Sequence, residues 1–341
     1  MKYDLVGIGN ALLDFQIEVP EKILEELQIK KGSMTLVEPN YQLKVLSLLR
    51  EKFNASNFKM SSGGSAANSL AGFSNYGGKS LLIGKLGQDE NGAFYQKDLN
   101  ACGVQFSSKT TTELPTGTCL ALITPDAERT MLTSLGAAVE LNTKDLDVDA
   151  LKHSDFLYIE GYLWDSPSAR AACLEAASIA KQNHTKVAFT YSDAFCVKRH
   201  FKDFLDLAKN KIDILFCNEH EAKAATETED ISKAFEEIAK WSPTVCVSIG
   251  PKGALVAEQA GKKTDRVATW DAKLVDKLGA GDLFASGVLF GLSQQRTLKE
   301  AAYLGCFSAT RVIEQMSARL TQDLSKEIDQ ALQGPGKNAA A

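Results

Sequence analysis

Residues 185–218, TKVAFTYSDAFCVKRHFKDFLDLAKNKIDILFCN, decide the fold. An apolar run, TKVAFT (185–190), leads to a stretch with helical spacing near 201–209, and a second apolar run, KIDILFCN (211–218), follows. Two uniformly apolar strands joined through a helix are buried on both faces and pair in parallel. The unit recurs along the chain. DLVGIG (4–9), KSLLIGKLG (79–87), DFLYIEG (155–161) and TVCVSIG (244–250) read as further core strands. Helical spacing is predicted at 63–77, 89–103, 167–182, near 229–240, and over three stretches from 281 to 333, with a hairpin over 254–270. The class is therefore α/β, a doubly wound, mostly parallel sheet flanked by helices.

Two regions break the alternation. Residues 14–19 look like a more exposed strand, and 21–29 and 41–53 have helical spacing. Between 104 and 133 the chain becomes threonine-rich and alternating, which fits short strands around a Pro125–Asp126 turn. Parts of 14–60 and 104–133 are expected to form a small β lid on a single domain spanning 1–333, with GPGKNAAA (334–341) as a flexible tail.

Composition narrows the function. A net charge of -5, from 38 basic and 43 acidic residues, gives no general reason to bind nucleic acid. The four histidines and seven cysteines never fall into CxxC or HExxH spacing, so no metal cage is expected and the cysteines read as inert buried thiols of a reducing compartment. No run approaches the ~20 apolar residues of a membrane span, and MKYDLVGIG is too short and acidic for a signal peptide. A soluble, cytoplasmic protein is expected, as a monomer or homodimer.

Two glycine motifs mislead. GIGN (7–10) lacks the third glycine of a dinucleotide fingerprint, and GFSNYGGKS (72–80) has the wrong spacing for a phosphate loop. GAGD (279–282) carries more. Gly279, Ala280 and Gly281 before a helix let backbone N–H groups converge on an anion, and the helix dipole adds to the effect. Asp282 would repel that anion, unless it takes a proton from a hydroxyl attacking a phosphoryl group held there. A glycine-capped helix with an acidic first turn is the alternative.

With these residues in view, the chain resembles the ribokinase-like (PfkB) family of carbohydrate and nucleoside kinases over nearly its whole length. DKLGAGD (276–282) is similar to the family's D-T-x-G-A-G-D, with Lys277 where threonine is common. The resemblance makes Asp282 the catalytic base and Gly279, Ala280 and Gly281 the anion hole. Through GGSAAN (63–68) it places Gly63, Gly64 and Asn68 at the acceptor, and through GNALLD (9–14) it adds Asn10 and Asp14, the latter holding a vicinal diol. CNEHEA (217–222) resembles the N-x-x-E element, so Asn218 and Glu221 would organise Mg2+ about ATP, mostly through water. Ser248, Gly250 and Gly253 of VSIGPKGA (247–254) become ATP contacts, and Asp276 a ligand for K+, although Ser317 replaces an expected glycine.

The sharper resemblance is to the adenosine-kinase branch. TGTC (116–119) with ITPDAER (123–129) implies Arg129 at the transferred phosphate, and YIEGYL (158–163) implies Tyr162 near a purine. The expected activity is ATP-dependent phosphorylation of a ribonucleoside, adenosine to AMP. A free-sugar kinase for ribose or fructose, and a catalytically silent sugar- or nucleoside-binding protein, are the alternatives.

Overall fold

The computed structural model describes residues 2–54, 58–107, 109–126 and 128–336, so 337–341 of the expected tail lie outside the described residues. In chain order the strands are β1 (Leu5–Ile8), β2 (Leu12–Glu18), β3 (Met34–Leu36), β4 (Lys59–Gly63), β5 (Ser80–Ile83), β6 (Val104–Ser107), β7 (Gly117–Ile123) and β8 (Arg129–Ser134). They continue with β9 (Phe156–Glu160), β10 (Lys186–Thr190), β11 (Ile214–Asn218), β12 (Thr244–Ser248), β13 (Ala254–Glu258) and β14 (Lys263–Val267). Among the described residues they form a nine-stranded sheet, β14-β13-β12-β11-β10-β9-β1-β5-β6, and a five-stranded sheet, β3-β8-β7-β2-β4.

In the large sheet every pairing from β6 through to β12 is parallel, and β13 and β14 close one edge as an antiparallel hairpin. β1, β5 and β9 are buried at every position, as strands covered on both faces must be. Alternate residues feed two apolar clusters. Leu5, Phe156 and Tyr158 pack on one face, where the helices Ser65–Asn75, Ala280–Ser293 and Leu298–Ile313 lie. Val6, Ile8, Leu157 and Ile159 pack on the other. Strand order reverses at β1, which has β5 on one side and β9 on the other. Open α/β sheets collect ligands beyond the carboxyl ends of the strands at such a reversal.

The smaller sheet follows a different rule, because only one of its faces is covered. Leu13, Phe15 and Ile17 of β2 point into a cluster with Val45 and Leu49 of the helix Pro39–Lys52, while Leu12, Asp14 and Gln16 border a cavity. Leu120, Leu122 and Leu132 join the covered face, and Cys119, Ala121, Arg129 and Met131 join the open one. The two-residue period of a strand thus places Asp14 and Arg129 on the same wall. Leu12, Gly63 and Gly117 lie in register at one end of this sheet, with Ser134 opposite Thr118 beside them, and there the chain crosses to the main body.

Several elements differ from their sequence reading. Residues 104–107 form β6 at the edge of the large sheet, so within 104–133 it is β7 and β8 that build the small one. The helix expected near 201–209 begins earlier, at Ala194, because Asp193 caps it by accepting from Cys196 N. The helix expected over 321–333 is a 3-10 turn, Leu324–Glu327, followed by Ile328–Leu332. Helices Val148–His153 and Glu219–Thr226 and strands β3 and β4 are too short to give a periodic signal.

Gly64 joins the small sheet to the helix Ser65–Asn75, with φ of 98° and the Asn10 carbonyl where a Cβ would stand. Gly64→Ala is expected to lower unfolding free energy by about 1–3 kcal/mol, from positive φ together with the overlap. Urea unfolding of the variant checks this, and wild-type stability would mean that the backbone relaxes at no cost.

Candidate active site

The carboxyl ends of β1, β9, β11 and β12, the open face of the small sheet and the start of the helix Ala280–Ser293 enclose a cavity of about 900 Å3. Asp282 stands in the first turn of that helix, and its carboxylate turns toward the N-terminal part of the chain. Ser65 Oγ donates to Oδ1 at 2.6 Å and Asn68 Nδ2 donates to Oδ2 at 3.0 Å. Gly279, Ala280 and Gly281 line the same cavity. Ala280 N donates to Lys277 O at 3.3 Å, and the other amides of this helix start offer positive potential beside the carboxylate. Gly279 takes φ of 78° because the Ala318 backbone occupies the space of a Cβ.

On the acceptor side, Asn10, Asp14, Gly64, Asn68 and Tyr162 share the cavity wall. Gly63 lies behind it, where a Cβ would collide with the Asp14 carboxylate. Glu160, at the end of β9, holds this side together. Its Oε1 accepts from Asn10 N at 2.8 Å and from Asn10 Nδ2 at 2.9 Å, and its Oε2 accepts from Ala66 N at 2.8 Å. The Asn10 amide therefore turns its carbonyl oxygen, an acceptor, away from Glu160. Tyr162 donates its hydroxyl to the Ser192 carbonyl at 3.3 Å, and exposed Phe195 lines the cavity from the first turn of the helix that starts at Ala194.

On the nucleotide side, Asn218, Glu221 and Ser248 reach the cavity, whereas Gly250 and Gly253 do not. Those glycines serve the turn between β12 and β13, where Gly253 N donates to Gly250 O. Asn218 and Glu221 satisfy each other in a capping box: Asn218 Oδ1 accepts from Glu221 N at 3.0 Å, and Glu221 accepts from Asn218 N and Nδ2. Among the described residues no three acidic, histidine or cysteine side chains could cage a metal. This donor set fits Mg2+ held through retained water and phosphate oxygens, not by a protein cage.

Arg129 and Asp276 are paired. Arg129 Nη2 lies 2.6 Å from Asp276 Oδ2, with side chains 8% and 9% exposed, yet the angles leave all three guanidinium nitrogens without a hydrogen bond. It is a close ion contact without alignment. A buried guanidinium with unspent donors on a cavity wall suits an anionic ligand. The same contact gives the Asp276 carboxylate, expected at a K+ site, a cation from the chain itself.

The cavity carries four carboxylates that favour their protons. Burial raises Asp282 to about 6, although the hydrogen bonds from Ser65 and Asn68 and the charge of Arg319 pull it down. Asp14 rises to about 7 through burial, opposed by Arg319 and Arg129. Glu160 and Glu221 rise to about 7 and about 8, again through burial. Asp14 and Asp282 keep some accessible surface, which lines the cavity, so their burial is incomplete.

Residues 32–324 match the pfkB family carbohydrate kinase profile. The chain belongs to this family. It is 38% identical to the adenosine kinase of Sinorhizobium meliloti, with a TM-score of 0.87 over 97% of this chain and 100% of that one. A probable sugar kinase from Rhizobium etli is 36% identical, also with a TM-score of 0.87, over 96% of this chain and 98% of that one. The adenosine kinase of Saccharomyces cerevisiae is 28% identical over 93% of this chain and 96% of its own length. The protein is an ATP-dependent phosphotransferase with an alcohol group as acceptor, of the nucleoside and sugar class. ATP and Mg2+ use is typical of the family, and no helix among the described residues is long and apolar enough to cross a membrane.

Three site residues escaped the sequence reading. Ser65 lay inside a motif credited to its glycines and Asn68. Glu160 was legible as a charge within an apolar strand, a placement that calls for buried partners. Arg319 had no signal, because its neighbours come from segments more than two hundred residues away.

Asp14, Glu160, Glu221 and Asp282 bind protons more tightly folded than unfolded, so folding takes up protons. The resulting stability is complete below the ordinary carboxyl values of 3.8 and 4.5 and is lost as pH rises through about 6 to about 8. The melting temperature of the ligand-free kinase is expected to fall across that interval at fixed ionic strength, and Glu221→Gln to flatten the fall. A melting temperature that rises over the interval would contradict this picture.

Proposed function

We propose that this kinase phosphorylates the 5′-hydroxyl of a ribonucleoside, adenosine in the first instance. The observation that carries the reading is the placement of Asp282 beside the Gly279–Gly281 turn, in one cavity with Asp14. A proton acceptor, an anion-stabilising helix start and a diol-binding carboxylate together meet the needs of phosphoryl transfer to an alcohol.

Asp14 offers two acceptor oxygens to the ribose hydroxyls, and the Asn10 carbonyl oxygen, fixed by Glu160, offers a third acceptor. Tyr162 and Phe195, with Met131 and Leu36 from the small sheet, give the cavity an aromatic and apolar stretch of wall. A purine has a flat face to lay against such a wall and a free sugar has none. This favours a nucleoside over ribose or fructose. Bound ATP with Mg2+ supplies the phosphoryl group and neutralises part of its charge. Asn218 and Glu221 would hold the metal's water, Ser248 the nucleotide, and Arg129 the phosphate oxygens in exchange for Asp276. Asp282 takes the proton as the alcohol attacks, and the Gly279–Gly281 amides bear the developing charge. Closure of the small sheet over the cavity keeps water from competing.

ATP consumption measured against a panel of nucleosides and sugars tests the reading, with adenosine expected to give the highest kcat/KM. A preference for a free sugar overturns the acceptor, and ligand-induced stabilisation without turnover would indicate a binding protein. Asp282→Asn should keep fold and substrate binding while lowering kcat on the order of 10²-fold or more; an unchanged kcat removes its role as base. Asp14→Ala should raise the acceptor KM by about 10- to 100-fold, the range for losing hydrogen bonds to a charged group. Because Asp14 binds the diol as a carboxylate and Asp282 acts ionised, kcat/KM should fall as pH drops through about 7 and on through about 6.

A further inference from the structure

Beyond the helix Leu298–Ile313 the chain returns beneath the anion-hole turn. Ala318 presses its backbone against Gly279, and the next residue, Arg319, sends its side chain into the interior. The backbone there is fixed locally, since Arg319 N donates to Ser317 Oγ at 3.1 Å and Gln315 Nε2 donates to Arg319 O at 2.5 Å. Arg319 Nε donates to Asn68 Oδ1 at 3.0 Å and Nη1 to Ser62 Oγ at 2.5 Å. Ser62 in turn donates to Asp98 Oδ2 through N at 2.8 Å and Oγ at 2.7 Å. Nη2 is buried without a partner.

A carboxamide has one accepting end and one donating end, and a guanidinium can only donate. Arg319 therefore fixes which way Asn68 points, with the oxygen toward itself and the nitrogen toward Asp282 Oδ2. With Asn68 reversed, its oxygen would face a carboxylate oxygen and its NH2 a cation, both repulsive. The charge environment agrees. Asp282 is faced by Tyr158 and Glu160 of β9, by Tyr162 after it, by Glu221 from the helix Glu219–Thr226, and by Ser65 and Asn68. Lys277 lines the cavity beside the anion hole. Arg319 is the cation whose charge favours ionised Asp282. Arg319 is itself faced by Asp98, whose Oδ2 lies 3.9 Å from Nη1, but a buried cation with an unpaired nitrogen is still a costly way to fill space that an apolar side chain could fill.

We propose that Arg319 is a positioning residue for phosphoryl transfer, orienting Asn68 on Asp282 and, through Ala318, setting the spacing between the base and the anion-hole turn. The proposal rests on Asp282 as the base, so Asp282→Asn is assayed alongside. If that variant stays active, the reading of the base fails. If it is inactive while the Arg319 variants match wild type, the role of Arg319 alone fails.

Arg319→Met and Arg319→Lys are compared for kcat across pH and for the KM of ATP, with folding checked by circular dichroism. Arg319→Met should lower kcat on the order of 10- to 100-fold, the cost of a small misplacement of reacting groups, and move the acid limb of kcat to higher pH, with the ATP KM within about twofold. Arg319→Lys keeps the charge without the fork, so its acid limb should return toward wild type while kcat stays low. In an Asn68→Ala background Arg319→Lys should lower kcat no further, because its bond to Asn68 is already gone and its bond to Ser62 does not reach Asp282. Wild-type kcat and acid limb in a folded Arg319→Met, or additive losses for Arg319→Lys and Asn68→Ala, overturn the proposal. If Arg319→Met does not fold, the conservative variant and the double-mutant cycle still decide it.

Discussion

The hydrogen bonds from Ser65 and Asn68 to Asp282 join residues 217 and 214 positions apart, and the site depends on them. They span the interface between the helices Ser65–Asn75 and Ala280–Ser293, which pack directly against each other. Close packing is what brings one helix's side chains within reach of the other's first turn. Asp282 is thereby held to one side of its helix, and the turn before it is left facing the cavity. The same geometry gives a carboxylate shielded from bulk water, steadied by two neutral donors and one distant cation, and so near balance between its charged and uncharged forms.

The two sheets divide the work. The large one is covered on both faces and supplies fixed strand ends, from which Asn10, Glu160, Asn218 and Ser248 project into the cavity. The small one is covered on one face only, and its free face becomes the opposite wall. An open sheet face with apolar and charged residues on alternate strands makes sense when a ligand is its missing layer.

Much of this was legible because burial imposes period. Uniform apolar strands marked the parallel sheet, and alternation marked β7 and β8. Where β6 sits could not be read, since four residues at the edge of a sheet satisfy either pattern. The motifs located the wall residues of the site, because glycine before a helix and a carboxylate after it have local reasons to be adjacent. The network behind that wall was less visible: Glu160 showed only as a charge in an apolar strand and Arg319 had no local signature, and both are explained by partners the fold brings together. Gly250 and Gly253, expected at ATP, also have a plain use in the turn between β12 and β13.

The small sheet is tied to the body by chain crossings at a single end, at Leu12, Gly63, Gly117 and Ser134. Arg129 begins β8 at the other end, paired in register with Ile123, and from there it touches Asp276 on the body. The sheet is thus a leaf hinged along one margin and clasped near the other by opposite charges. Because the clasp is shielded, dissolved salt weakens it little, and a polyanion arriving inside the cavity can take the guanidinium from its partner. Without that clasp the leaf would be held to the body by chain at one margin alone.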